Sequence, residues 1–227
     1  MQKVDLQISK QSATLRLMVE DRLRAAIAAG QFRPGQRLVE RELCEMTGVG
    51  RTSIREALRQ LEAEGLVTSI PHRGPRVSTI SVAEARQLYD LRALLEGYAG
   101  RSCAERQTAK ECEALGNAVR EFERAARTRE PQKLIEAKNH FYDLLLDGSG
   151  NAFIRQVLTT LNNRITLLRL TSMTQPGRLK RSIVELRDIA AAIESRDADR
   201  AEAACRLHVY RAAEVAIAYL DRETVKT

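Results

Sequence analysis

Hydrophobic positions recur along most of the chain at three- and four-residue spacing, the period of a helix with one buried stripe. Leu15, Val19, Leu23 and Ile27, joined by Met18 and Ala26, predict a helix over Thr14–Ala29 that Gly30 ends, after a polar, irregular stretch over residues 1–12. Pro34-Gly35 turns the chain, and Leu38-Val39 reads as a short strand. Glu40–Thr47 predicts a short helix and Gly48-Val49-Gly50 a tight turn. Arg51–Glu64 predicts a second helix, with Ile54, Ala57, Leu58 and Leu61 on its stripe. Gly65 stands where a left-handed C-terminal cap is wanted. Here the period changes. Leu66–Ile70 is rich in β-formers, Pro71-His72-Arg73-Gly74-Pro75 is a turn, and Arg76–Ser78 reads as the returning strand.

Thr79-Ile80 is a linker, and Ser81-x-x-Glu84 is a capping box that starts a new helix, so the domain boundary falls there: residues 1–80 and 81–227. Everything beyond it carries the helical period. Helices are predicted over Val82–Arg106, Ala109–Thr128, Pro131–Asp147, Ala152–Thr171, Arg178–Ser195 and Ala198–Arg222. A second capping box, Thr108-x-x-Glu111, marks one break, and Pro131 suits a first helical position. Short connections favour antiparallel neighbours, hence a bundle. The predicted fold class is mainly α: an N-terminal winged helix-turn-helix and a C-terminal all-α helical bundle.

Composition changes this picture little. Of 227 residues, 44% are hydrophobic and 30% charged, an ordinary soluble balance, and no apolar run approaches a membrane span, so a cytoplasmic chain without a membrane partner is expected. The four cysteines are scattered, which argues for free thiols over disulfides or structural zinc. The net charge of +7 is compatible with a polyanion partner but does not by itself establish one.

Placement of the charge does more. Arg51, Arg55 and Arg59 fall at i, i+4, i+8 and line a face of their helix other than the apolar one. Two helices joined by a tight turn form a helix-turn-helix, whose second helix enters the major groove by its N-terminal end. That end carries Arg51, Thr52, Ser53 and Arg55, with Arg41 at the entrance and Arg73-Gly74 at the tip of the wing. The stretch PGQRLVERELCEMTGVGRTSIREALRQLEAEGLV, followed by HRGPRV, resembles the GntR family of bacterial transcription regulators along its whole DNA-binding domain. That resemblance implies DNA contacts at the same positions, with His72 near the wing tip. LYDLRALLEGYAGRSCAER, NHFYDLLLDGSGN and IAAAIESRDADRAEAACRLHV resemble the FadR branch, whose all-helical FCD domain binds an effector. A homodimeric, cytoplasmic regulator on a near-palindromic double-stranded operator is implied.

Polar residues on the apolar stripes of the second domain mark its candidate chemistry, since burying them is costly without a partner. Lys138 and Tyr142 accompany Leu134, Phe141 and Leu145. Arg164 follows Ile154, Val157, Leu158 and Leu161, with Ile165 and Leu168 beyond it. His208 joins Ala201, Ala204, Cys205, Ala212, Val215 and Tyr219, and Arg92 lies along the edge of Leu88, Leu91, Leu95 and Ala99. Glu96 is an i, i+4 partner for Arg92, and Lys138 has the stem to reach solvent. Members of the resembled branch often hold a divalent metal with an Asp or Asn and three His. Those positions fall here on Lys138, Tyr142, Leu186 and His208, of which only the last keeps a ligand. The expected pocket is therefore metal-free and without a cofactor, and takes a small organic acid through Arg92, Lys138, Tyr142, Arg164 and His208. The expected function is an effector-controlled repressor. A constitutive DNA-binding dimer and a metal-dependent effector sensor are the alternatives of the same kind. An enzyme built on Lys138, Tyr142 and His208 would leave the N-terminal domain unexplained.

Overall fold

Reciprocal capping frames the longer part of the molecule, a computed structural model that describes residues 10–128, 130–173 and 175–224. The Glu84 amide donates to Ser81 Oγ at 3.2 Å while the Ser81 amide donates to Glu84 Oε2 at 2.9 Å. Thr108 and Glu111 repeat the arrangement at 3.3 and 2.7 Å. Each box satisfies two amides at a helix start that have no partner within the helix. The chain divides into two units, the first ending at Thr79 and the second beginning at Ile80.

In the first unit α1 (Lys10–Ala28), α2 (Glu40–Thr47) and α3 (Arg51–Ala63) precede β1 (Val67–Ile70) and β2 (Gly74–Val77). The strands pair antiparallel from Val67 against Val77 to Ile70 against Gly74, which makes the wing. Ile54, Ala57, Leu58 and Leu61 of α3 are all buried, as their spacing requires. Gly65 (φ +76°) ends α3. Its amide reaches Glu62 O and the Leu66 amide reaches Leu61 O, both at 2.9 Å, a Schellman closure that turns the chain into β1. Two expectations are corrected. Leu38-Val39 is no strand: the third strand shrinks to one bridge, Arg37 against Arg76, because Val39 already serves as N-cap of α2. On α1 only Val19, Leu23 and Ile27 of the predicted stripe are deeply buried, whereas Leu15 (47%) and Met18 (50%) are exposed. The start of the chain, predicted irregular, includes residues 1–9, which lie outside the described residues.

The second unit is helical throughout its described residues: α4 (Val82–Arg106), α5 (Ala109–Thr128), α6 (Pro131–Gly148), α7 (Ala152–Met173), α8 (Arg178–Glu194) and α9 (Ala198–Thr224). Its main core gathers Leu115, Phe122, Phe141, Leu145, Leu158, Leu186 and Ile189 from α5 to α8. A smaller cluster, with Tyr89, Ala93 and Val209, lies along α4 and α9. Those two helices approach closely through small residues. A Cβ on Gly97 would stand 2.7 Å from Arg206 Cγ, and one on Gly100 would stand 2.5 Å from Cys205 Sγ. This contact sets the rotation of α4. Its buried face is Tyr89, Arg92, Ala93, Glu96 and Gly100, while Leu91, expected inside, is 40% exposed.

Candidate nucleic-acid interface and buried polar cluster

The turn Gly48-Val49-Gly50 delivers α3 with its polar N-terminal face outward. Arg51, Thr52 and Arg55 are exposed and Ser53 half-exposed, while Ile54 between them is fully buried. Arg55 is held from the side: its Nε donates to Glu40 Oε2 at 2.8 Å and Oε1 at 2.9 Å. That hydrogen bond, with the Coulomb attraction behind it, keeps the guanidinium firmly protonated. Arg41, one residue on in α2, is exposed and stands 3.7 Å from Glu45. At the wing tip His72 (φ +61°) and Gly74 (φ +77°) both adopt the left-handed conformation, and His72 and Arg73 are exposed. Four neighbouring positions on α3 and two on the wing, His72 and Arg73, thus present hydroxyl, imidazole and guanidinium groups to solvent, groups that read base edges and grip phosphates.

The second unit buries charge instead. Arg92 is only 2% exposed, and its Nε and Nη2 both meet Glu96 Oε1, at 2.7 and 2.6 Å. Its guanidinium lies 5.3 Å from the Tyr89 ring centroid and 6.0 Å from that of Tyr142, whose hydroxyl is 3.4 Å from Nη2. Burial alone would lower the Arg92 pKa, but Glu96 and the two tyrosines outweigh it and the cation is retained. Lys138 and Tyr142 are also buried, on α6, with the ammonium 6.0 Å from the Phe122 ring.

His208 on α9 is 1% exposed, and its Nδ1 lies 2.6 Å from Glu185 Oε2. Facing a carboxylate, Nδ1 carries the proton, which leaves Nε2 as an acceptor. Burial drives the His208 pKa down to about 3, the hydrogen bond to Glu185 opposes it, and the charge of Lys138 lowers it further. The imidazole is therefore neutral near pH 7. Arg178 Nη1 donates to the same Glu185 oxygen at 2.8 Å. Burial pushes the Glu185 carboxyl upward, but the hydrogen bonds from His208 and Arg178, with the charge of Arg178, hold it below its ordinary range. Three buried cations, Arg92, Lys138 and Arg178, thus share the bundle interior with two buried carboxylates, Glu96 and Glu185.

Of the five residues the sequence singled out for this cluster, four are buried together with these partners. Arg164 is not. It is exposed, because it sits roughly 90° around α7 from the line of Ile154, Leu158 and Leu161 that packs inward. Val157, expected on that line, is 44% exposed, and the side chains of Ile165 and Leu168 lie outside the described residues. Arg92, expected at an edge, is at the centre. Sequence reasoning missed Arg178, Ser182 and Glu185. Their spacing of i, i+4, i+7 continues onto buried Ile189 and Ile193, and this was the available signal.

A metal does not fit the positions that the FadR branch uses. Lys138 presents a buried ammonium close enough to depress His208, and Leu186 is packed in the main apolar core. Among the described residues no group of three or more His, Cys, Asp or Glu side chains is placed to hold one. Nor is any helix among them long and apolar enough to cross a membrane.

Comparison with known proteins bears on both units. The model of the bacterial regulatory proteins of the gntR family matches residues 15–77, and that of the FCD domain matches residues 87–211. The chain is 27% identical over 187 residues to YdhC, an uncharacterized HTH-type transcriptional regulator of Bacillus subtilis, covering 82% of this chain and 84% of that one. It is 28% identical over 197 residues, 86% of each chain, to a protein of Paenarthrobacter nicotinovorans described as a probable D-xylose utilization operon transcriptional repressor. The solved structure of E. coli McbR/YncC shares the fold with a TM-score of 0.76 at 21% identity, covering 96% of this chain and all of that one.

Proposed function

Since the chain belongs to the gntR family of bacterial regulatory proteins and carries an FCD domain, we propose that it is a cytoplasmic, homodimeric repressor whose operator affinity is set by a small organic acid. The family membership makes it a transcription regulator. The effector, the dimer and the sign of regulation are the proposal.

Arg51, Thr52, Ser53 and Arg55 read the major groove in this account. Arg41 stands at its entrance, and His72, Arg73 and Gly74 reach the adjacent minor groove. The Glu40 carboxylate occupies Nε of Arg55 and leaves both terminal nitrogens for a guanine edge. One recognition helix reads only a few base pairs, so two copies on a near-palindrome are required for a specific site. Leu91, Leu94 and Tyr98, 40, 56 and 50% exposed at i, i+3, i+7 along α4, supply an apolar face for the second copy.

The observation that carries the effector reading is the buried cluster of Arg92, Lys138, Tyr142 and His208 with its carboxylate partners. A bundle that served only for dimerisation would need no such charges, since each costs several kcal/mol to desolvate. A carboxylate entering beside Lys138 and Arg92 forms charge-assisted hydrogen bonds with groups already paid for by folding. No catalytic step is assigned. The test is selection of a DNA site by the purified chain, followed by titration of that complex with a carboxylic-acid library. Release by at least one acid is expected. Tight DNA binding that no acid alters would instead mark a constitutive dimer.

A further inference from the structure

Among the described residues, four buried polar atoms around one carboxylate have no hydrogen-bonding partner: Arg178 Nη2, Ser182 Oγ, Glu185 Oε1 and His208 Nε2. They belong to one place. Arg178 and His208 both bond Glu185 Oε2, and Ser182 lies between Arg178 and Glu185 on the same face of α8. Arg211 Nη1 approaches Glu185 Oε1 to 3.5 Å, as an ion pair without a hydrogen bond. A buried polar atom left unsatisfied is destabilising, more so when charged, and native interiors rarely tolerate several together. Since none of the described residues bonds them, these atoms are placed to receive a partner from outside the chain.

The four atoms also specify what the partner offers. Arg178 Nη2 is a cationic donor and the Ser182 hydroxyl a second donor, so one side of the site wants an acceptor with negative charge. Glu185 Oε1 and His208 Nε2 only accept, and with the Arg211 cation beside Oε1 it is Nε2 that wants a hydrogen. Two groups could supply it, a hydroxyl or an ammonium. The surrounding charge decides between them, because three buried cations already face two carboxylates. An ammonium would add a fourth, whereas a hydroxyl donates without adding charge.

We infer that Arg178, Ser182, Glu185 and His208 form a subsite for a hydroxycarboxylic acid, whose carboxylate lies on Arg178 and Ser182 and whose hydroxyl donates its one hydrogen to His208 Nε2, with Glu185 Oε1 left to the Arg211 guanidinium beside it. The inference rests on the reading of the second unit as an organic-acid sensor and narrows that reading to one ligand class.

Calorimetric titration of the full chain with matched acids tests it: malate against succinate and aspartate, lactate against propionate and alanine, gluconate against hexanoate. In at least one set the hydroxy acid should bind at least about tenfold more tightly than its deoxy and amino counterparts, since a site built to bond a hydroxyl rejects the analogue lacking it. His208→Phe should shrink that ratio below about threefold by removing the acceptor. Ser182→Ala, a smaller change that keeps the fold if His208→Phe does not, should weaken the hydroxy and deoxy acids alike. Equal binding within every set, or tightest binding of an amino acid, overturns the subsite but leaves an acid sensor standing. Unchanged affinity in Ser182→Ala also overturns it. Binding of no acid at all overturns both the subsite and the sensor.

Discussion

His208 Nδ1 lies 2.6 Å from Glu185 Oε2, and this bond fixes the imidazole in the tautomer whose Nε2 is an acceptor. The same bond links protonation to folding. Burial holds the His208 pKa at about 3 instead of 6.5, so between those values the unfolded chain binds a proton that the folded chain lacks. Stability should therefore fall as pH falls below about 6.5, with a limiting slope of about 1.4 kcal/mol per pH unit. Glu185, also depressed, adds a loss of the same sign at lower pH. Urea denaturation at pH 7 and pH 5 should show a steeper loss in the wild type than in His208→Gln. Parallel losses would mean that His208 is not held neutral.

Arg92 and Glu96 make the second prediction. Both are 2% exposed and bond through one carboxylate oxygen. Glu96→Ala leaves a buried guanidinium uncompensated and should cost about 3–5 kcal/mol. Replacing both with apolar residues, as in Arg92→Met with Glu96→Leu, should recover much of that loss. Chemical denaturation of the three variants measures this, and a single-variant cost under about 1 kcal/mol would contradict the burial of the pair.

At the other end of the chain, Arg51→Ala and Arg55→Ala should each lower affinity for the selected DNA site by roughly 1–3 kcal/mol while leaving non-specific binding nearly unchanged. Glu40→Gln should weaken the same site by less, because it loosens Arg55 without removing it. Fluorescence anisotropy against specific and scrambled duplexes separates the cases. Equal loss on both duplexes would reassign the arginines to phosphate contacts.

Helix placement was readily legible in the sequence, and helix rotation was not. The limits of α4 and α5 were set by Ser81 with Glu84 and by Thr108 with Glu111, local signals that need no tertiary information. Which residues face inward depends on what packs against the helix. On α4 that is α9, seated on Gly97 and Gly100, so Arg92 turns to the centre and Leu91 to solvent. The same limit put Arg164 inside when it is exposed, since apolar spacing on α7 fits more than one rotation. Arg178, Ser182 and Glu185 were passed over for a related reason. Polar residues at helical spacing ordinarily mark a solvated face, and only the apolar continuation through Ile189 and Ile193 shows otherwise.

The exposed α4 stripe gives the fourth prediction. If Leu91, Leu94 and Tyr98 cover a second copy, then Leu94→Glu should shift the protein from dimer to monomer in light scattering and abolish specific DNA binding at the same concentration. A variant that stays dimeric and binds as the wild type does would place the interface elsewhere.

The central claim is that a buried, charged cluster in the helical unit governs what the winged unit does on DNA. The most direct measurement is the dissociation constant of the selected operator, followed by anisotropy with and without saturating hydroxy acid, in the wild type and in Lys138→Ala. The account predicts at least about a tenfold rise in the wild-type constant on adding the acid. It predicts little or no rise in Lys138→Ala, whose affinity without acid stays near that of the wild type. An operator affinity that no carboxylic acid moves in the wild type, or an equal response in both proteins, would contradict it.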